Sequence, residues 1–411
     1  MESIRHIPLL YDNANSQESA LNLILALRPE WEETKDTIEF IRFKDGITNT
    51  LLKAVNKKHG ISNREIEQDA ILLRAYGSGT QVLIDRDREA ASHSLLARYK
   101  LAPTLLARFE NGLLYKFIEG SVCSPEDLRR PEIWRGVARR IAEWHATLPI
   151  SAVSEIASNI QVASAHTAGK VEALTLNMPS PNVWTVMQKW ILALPTDTEA
   201  KKQRQKQLQS ELEWLTEELS NTPGIGGTPL IFGHCDLLSG NVIVLPTSDT
   251  SSQSSTASSP ALSAVSNEQP FTPVNFIDYE YATPSPAAFD ISNHFAEWGG
   301  FDCDFTKLPS KSQRRDFLST YLNAYNTQLG REYSEKEFDQ LYKEVDIFRG
   351  APGFYWGIWA LIQATISQID FDYASYAEIR LGEYFAWKDA FQGTSDGAEI
   401  PLRERRWAEE E

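Results

Sequence analysis

The apolar positions of this chain change their period near residue 120. Before it they alternate. "TIEFIRFKDGITNTLLKAVN" (37–56) places alternating apolar residues on both sides of Asp45-Gly46, a turn dipeptide, and predicts two strands. "AILLRAYG" (70–77) predicts a buried strand ending at Gly77, and "LLARFENGLLYKFIEG" (105–120) a second hairpin around Asn111-Gly112. Between them, "DRDREAASHSLLARYKL" (85–101) has the acidic first turn of a helix. After residue 120 the apolar residues fall at helical spacing in "EIWRGVARRIAEWHATL" (132–148). They do so again in 207–219 (Leu208, Leu212, Leu215, Leu219) and in 337–348 (Phe338, Leu341, Val345, Phe348). "FYWGIWALIQATISQ" (354–368) is apolar nearly all round and predicts a buried helix. The expectation is an α+β, bilobal protein: a small antiparallel-sheet N-lobe (37–120) after an N-terminal extension (1–36), then a larger, mostly helical C-lobe (121–411).

One stretch breaks the pattern. Residues 246–273 hold 17 Ser, Thr or Pro among 28, too few apolar groups to offset the entropy of ordering them. They lie between the strand-like "NVIVL" and "VNFIDYEY". This predicts a disordered loop joining two neighbouring strands, tolerated because closure entropy grows only logarithmically with length.

Charge and cysteine content narrow the function classes. The 411-residue chain carries a formal net charge of −16 with no dense Lys/Arg block, against both nucleic-acid binding and electrostatic docking on an anionic membrane. An acidic surface still suits a small cationic ligand. No apolar run reaches the roughly 20 residues of a membrane span, and "MESIRHIPLLYDNANSQ" lacks the features of a signal peptide. Cys123, Cys235 and Cys303 are far apart and form no CxxC pair, so the expected setting is a reducing cytoplasm without disulfides.

The chemistry concentrates in "IFGHCDLLSGNVIV" (231–244). His234, Asp236 and Asn241 form H-x-D-x-x-x-x-N, the spacing of the protein-kinase catalytic loop, in which Asp receives the proton of the attacking hydroxyl and Asn holds Mg²⁺. Taken alone, the same residues also suit a plain turn after a strand. Asp278, ending the strand "VNFIDYEY", supplies the further carboxylate that a Mg²⁺ site needs. Zinc fits poorly, because His234 and Cys235 are adjacent and no second Cys or His lies at ligand spacing. Gly46, Thr48 and Asn49 in "FKDGITNTL" could cover phosphates, although an ordinary hairpin turn reads the same way. Arg74, among apolar neighbours, calls for a buried anion, and Glu89 on the next helix is the natural partner.

Together, "FGHCDLLSGNVIV", "NFIDYEYATPSPAAFDISNHFAEW" and "FYWGIWALIQATISQIDFDYASYAEIRLGEYF" resemble the choline/ethanolamine kinase family over about residues 38–390. The N-lobe segments "FKDGITNTLL" and "LLRAYGSGTQVLIDRDREAASHSLL" are most similar to its ethanolamine-kinase branch. The resemblance implies a protein-kinase-like fold and the ATP- and Mg²⁺-dependent phosphorylation of an amino alcohol's hydroxyl. For ethanolamine this is the first step of the CDP-ethanolamine route to phosphatidylethanolamine. It implies Asp236 as base, with His234 orienting the loop. Asn241 and Asp278 would hold Mg²⁺, with Glu280 helping metal or substrate. Arg74 and Glu89 would position the phosphates, and the backbone around Phe117 to Glu119 would hold adenine. Glu297, Trp356, Trp359 and Tyr376 would form the substrate pocket. Choline kinase or a dual enzyme, an aminoglycoside-type phosphotransferase and an inactive ATP-binding scaffold stay open as alternatives, as does a homodimer. The chain departs from the family at Cys235, where Asn is usual; Cys235 is expected in locally extended backbone, pointing away from Asp236, with some loss of loop rigidity.

Overall fold

The computed structural model describes residues 4–43, 49–77, 82–150, 169–246, 269–367, 369–394 and 400–411. The predicted hairpins and buried strand assemble into one sheet of β1 (His6–Ile7), β2 (Ile38–Phe43), β3 (Asn49–Asn56), β4 (Ile71–Tyr76), β5 (Leu105–Phe109) and β6 (Gly112–Lys116). Its order is β1-β5-β6-β4-β3-β2, antiparallel throughout except for β1, which runs parallel to β5 at the edge. The Asp45-Gly46 turn lies outside the described residues.

The residues ahead of β2 belong to this lobe's core. Ile7, Leu23, Ile24 and Trp31 pack against Leu52, Leu73, Phe109 and Leu114, so α1 (Ser16–Leu27) covers the sheet. On the other face lies α3 (Arg86–Arg98), after the short α2 (Asn63–Gln68); Asp85 caps α3 by accepting from the Arg88 N–H.

The second lobe is helical: α4 (Pro131–Thr147), α5 (Lys170–Leu174), α6 (Val183–Ala193), α7 (Glu199–Leu219), α8 (Ala287–Ala296), α9 (Lys311–Gln328), α10 (Glu335–Phe348), α11 (Ala351–Ile366), α12 (Tyr373–Gln392) and α13 (Leu402–Ala408). The predicted all-apolar helix is α11, and nearly all its side chains are buried. The 207–219 stripe belongs to α7, which begins eight residues earlier at a Thr198 cap.

Two small sheets set the site. β8 (Ile231–Gly233) pairs antiparallel with β11 (Thr283–Ser285), and β9 (Val242–Val244) lies between β7 (Ser121–Val122) and β10 (Val274–Phe276). The predicted adjacency of the strands flanking the Ser-rich stretch holds, because β9 and β10 pair directly and the Leu245 N–H donates to Pro273 O at 3.0 Å. Residues 247–268 of that stretch lie outside the described residues. The loop from β8 to β9 (234–241) and the loop from β10 to β11 (277–282) therefore run side by side, bonded through the Ile277 N–H to Asn241 O (3.0 Å). Among the described residues, no helix is long and apolar enough to cross a membrane.

Candidate active site

The loop 234–241 is strapped to α8 by its backbone. Asp290 accepts the His234 N–H (2.8 Å) on Oδ2 and the Cys235 N–H (2.7 Å) on Oδ1, and Asn293 Nδ2 donates to Cys235 O (2.9 Å). His145 Nε2 lies 3.0 Å from Asp290 Oδ2. Burial would raise the Asp290 carboxyl, but the His145 hydrogen bond, the two histidines and the Cys235 N–H outweigh it and hold the group below its usual range. His234 sends Nε2–H to Ile277 O at 3.0 Å, tying the two loops together, and burial lowers its pKa to about 4, so it stays a neutral strut. Gly233 is required here: a Cβ would meet Ser285 Oγ at 2.2 Å on the paired strand.

Cys235 corrects an expectation. Its backbone is not extended but left-handed (φ 60°), a conformation that Asn adopts more readily than other side chains. Loop rigidity comes from the bonds to Asp290 and Asn293 rather than from the residue 235 side chain, which packs toward Thr283 O and Ser285 Oγ. All three cysteines are buried and free.

Asn241 Nδ2 donates to Asp236 O (2.7 Å) and Oδ2 (3.1 Å). With both contacts on the NH₂ end, Asn241 keeps its carbonyl oxygen as the end able to meet a cation. The Asp236 carboxyl is pushed well above its usual range, first by burial and then by the charges of Asp278, Glu297 and Glu280. Such a concentration of negative groups is poised to take a proton or a cation.

Opposite lies a buried ion cluster. Arg74 on β4 pairs with Glu89 on α3 (3.2 Å), as its sequence context predicts, and also with Asp278 (2.7 Å) and Glu280. Arg86 completes it, bridging Glu89 (2.9 Å) and Glu280 (3.0 Å) while stacking 4.0 Å over Tyr76. Sequence reasoning missed Arg86, although its i,i+3 spacing to Glu89 was visible. Asp278, like Cys235, has a positive φ (65°), which turns its carboxylate from the strand end toward Arg74. Glu280 lies between two guanidiniums, with Asn49 Nδ2 at 3.4 Å, and lines the cleft beside Asp278. Among the described residues, no cluster of three His, Cys, Asp or Glu side chains forms a metal cage.

One cleft runs between the lobes. It brings together Asn49, Arg74, Phe117, Asp236, Asn241, Asp278, Glu280, Glu297, Trp356, Trp359 and Tyr376. Gly46 and Thr48 lie outside the described residues, and Glu119 is exposed, while His234 and Glu89 sit behind the cleft without lining it. The Phe117 N–H is bonded to Ala70 O (3.1 Å), so Phe117 offers the cleft its ring and its carbonyl rather than an amide donor. At the inner end, Glu297 is buried and receives Arg380 Nη2 at 3.1 Å. The indoles beside it are fixed by their N–H groups, Trp356 to Asn293 Oδ1 and Trp359 to Tyr281 OH, each at 2.7 Å. Tyr281, Arg380 and Asp290 gave no sequence signal separable from core residues.

The model of the choline/ethanolamine kinase family matches residues 40–385. The chain belongs to the choline/ethanolamine kinase family. Human ethanolamine kinase 1 is 34% identical over 384 residues, 90% of this chain and 72% of that protein. A solved Plasmodium vivax ethanolamine kinase superposes with a TM-score of 0.66 at 23% identity, covering 91% of this chain and 89% of that one. A choline kinase from Cryptosporidium parvum gives 0.59 at 20% identity, over 92% and 97% of the two chains. The fold of the choline/ethanolamine kinases is thus the fold of this chain.

Proposed function

We propose that this chain is an ethanolamine kinase, transferring the γ-phosphoryl group of ATP to the hydroxyl of ethanolamine. The observation that carries the reading is the pairing of Asp236 with Glu297 at one end of the cleft, the second among aromatic faces. One carboxylate meets the hydroxyl and the other the ammonium of the same short molecule. The 34% identity to human ethanolamine kinase 1 supports the choice of amine.

ATP with Mg²⁺ supplies the phosphoryl group and neutralises its charge when bound. Asp236 accepts the hydroxyl proton, held in place by Asn241 below it and, through the backbone, by Asp290. The Asn241 carbonyl and the Asp278 carboxylate offer oxygen ligands of the hard type Mg²⁺ prefers, leaving room for phosphate oxygens and water. Arg74, set by Glu89 and Glu280, faces the phosphates, and Phe117 with the chain at 118–120 borders the base. Glu297 and the faces of Trp356, Trp359 and Tyr376 receive the ammonium. Catalysis is then mostly positioning and charge stabilisation.

The test is a coupled ADP-release assay on the purified chain with ATP, Mg²⁺ and either ethanolamine or choline. A higher kcat/KM for ethanolamine is expected. A preference for choline would favour the second reading, which the aromatic wall supports through cation–π contact with a trimethylammonium; turnover of neither amine would sink both.

A further inference from the structure

From Glu297 at the amine-binding end of the cleft runs a chain of alternating charges, the rest of which the proposed reaction does not use. Glu297 Oε1 meets Arg380 Nη2 (3.1 Å), and Arg380 Nε faces Glu383 Oε1 (3.4 Å). Glu383 Oε2 faces Arg403 Nε (3.4 Å), and Arg403 Nη1 meets Glu404 Oε1 (2.9 Å). Glu404 Oε2 then pairs with Arg349 Nη2 (2.7 Å). The side chains from Glu297 to Glu404 are each at most 6% exposed.

Arg403 and Glu404 sit on α13, beyond the residues 40–385 that the family model matches. That helix is seated firmly. Trp407 Nε1 donates to Asp346 Oδ1 (2.7 Å), and Arg314 stacks 3.9 Å over the Trp407 ring while donating to Trp407 O (2.8 Å). The middle of the chain is different. Arg380 Nε, Glu383 Oε1 and Arg403 Nε are buried without an aligned hydrogen bond, so their contacts at 3.4 Å are held by charge balance rather than by directional bonding. One guanidinium, Arg380, is shared between Glu297 and Glu383.

We infer that Arg403 is a positioning residue for the amine site: by neutralising Glu383 from behind, it leaves Arg380 directed at Glu297 and so fixes the carboxylate that receives the substrate ammonium. Without Arg403, Glu383 keeps one counterion, Arg380, and draws it away from Glu297. This rests on Glu297 as the ammonium receptor.

Three variants of the full chain test it: Arg403→Met, Arg403→Lys and the double variant Arg403→Met/Glu383→Gln. Arg403→Met is expected to raise the ethanolamine KM about tenfold, with kcat and the KM for ATP within about twofold of wild type. Arg403→Lys keeps the charge, and the double variant removes the pull on Arg380, so both return the ethanolamine KM to within about threefold of wild type. An unchanged ethanolamine KM in folded Arg403→Met, or an equal rise in the ATP KM, overturns the inference. Should Arg403→Met not fold, an ethanolamine KM raised tenfold in the double variant overturns it instead. Wild-type turnover of ethanolamine and choline is recorded alongside. A wild type inactive on both amines removes the functional reading itself, whereas an active wild type with an indifferent Arg403→Met removes this inference alone.

Discussion

Replacing Asp290 by Asn tests what holds the catalytic loop in place. The carboxylate has two oxygens and three donors around it: the His234 and Cys235 amides and His145 Nε2. An Asn keeps one oxygen and turns the other into a donor. If the NH₂ replaces Oδ1, the Cys235 N–H is orphaned. If it replaces Oδ2, the His234 N–H is orphaned, whichever tautomer His145 takes. Either way one buried amide loses a charge-assisted bond and faces another donor, a cost of about 3 kcal/mol. That is affordable within a native stability of about 5–15 kcal/mol, so the variant folds. Asp290→Ala removes both acceptors and costs about 5 kcal/mol. The freed amide belongs to the residue before Asp236 or the one before that, so a displacement on the order of 1 Å at the base lowers kcat roughly 100-fold. Glu297 and the indoles lie on or against other segments, so the ethanolamine KM stays close to wild type. Urea unfolding and steady-state kinetics on the same preparations measure both effects. An Asp290→Asn enzyme within about 0.5 kcal/mol and threefold in kcat of wild type would refute the account of the loop.

Three further outcomes follow from the same geometry. Asp236→Ala should bind ATP normally yet lose turnover by at least about 10³-fold, with no loss of stability, since it removes one member of a crowded set of negative groups; isothermal titration with nucleotide and the ADP-release assay separate these. Arg74→Met leaves Asp278 without its cation and Glu89 and Glu280 with Arg86 alone, and should cost about 3 kcal/mol in urea unfolding, so a silent variant contradicts the buried cluster. His93, bonded to Pro103 O (2.9 Å), is lowered by burial to a pKa of about 4, so between about pH 6.5 and 4 the unfolded chain binds its proton and the native one does not. Stability from this group therefore falls with pH, by about 2 kcal/mol from pH 7 to 5, and His93→Gln should show a pH dependence shallower by that amount.

The sequence made some of this visible and hid the rest for physical reasons. Local signals survived well: the Asn111-Gly112 hairpin, the acidic first turn of α3 and the all-apolar α11 depend on neighbours along the chain. Asp236, Asn241 and Asp278, which the fold brings into one cleft, were legible as candidates because the proposed chemistry fixes residue type and spacing together. What failed to show was what depends on distant partners. Residues 1–36 read as an extension because most of the sheet that α1 and Trp31 cover is formed by strands after it. Asp290 looks like any carboxylate until the fold sets it under the amides of residues 234 and 235. Cys235 was misjudged because backbone handedness is set by the loop and not announced by the side chain that tolerates it. The links from Arg380 to Glu297 and from Arg403 to Glu383 gave no signal because they span 83 and 20 residues.

The close pairing of β9 with β10 has a consequence for how this enzyme can be divided. Leu245 and Pro273 are joined by a backbone hydrogen bond, so the chain leaves the sheet and re-enters it at one place. The β9–β10 register continues that junction into the sheet. A protease site placed there would cut the protein into an N-terminal piece carrying Asp236 and Asn241 and a C-terminal piece carrying Asp278, Glu280 and Glu297. Neither piece holds the full set of reacting groups. The two would be held together along β9–β10 and β8–β11 and by Asp290 and Asn293 on residues 234 and 235, which makes this break in the chain a seam for a split enzyme whose activity reports on reassembly.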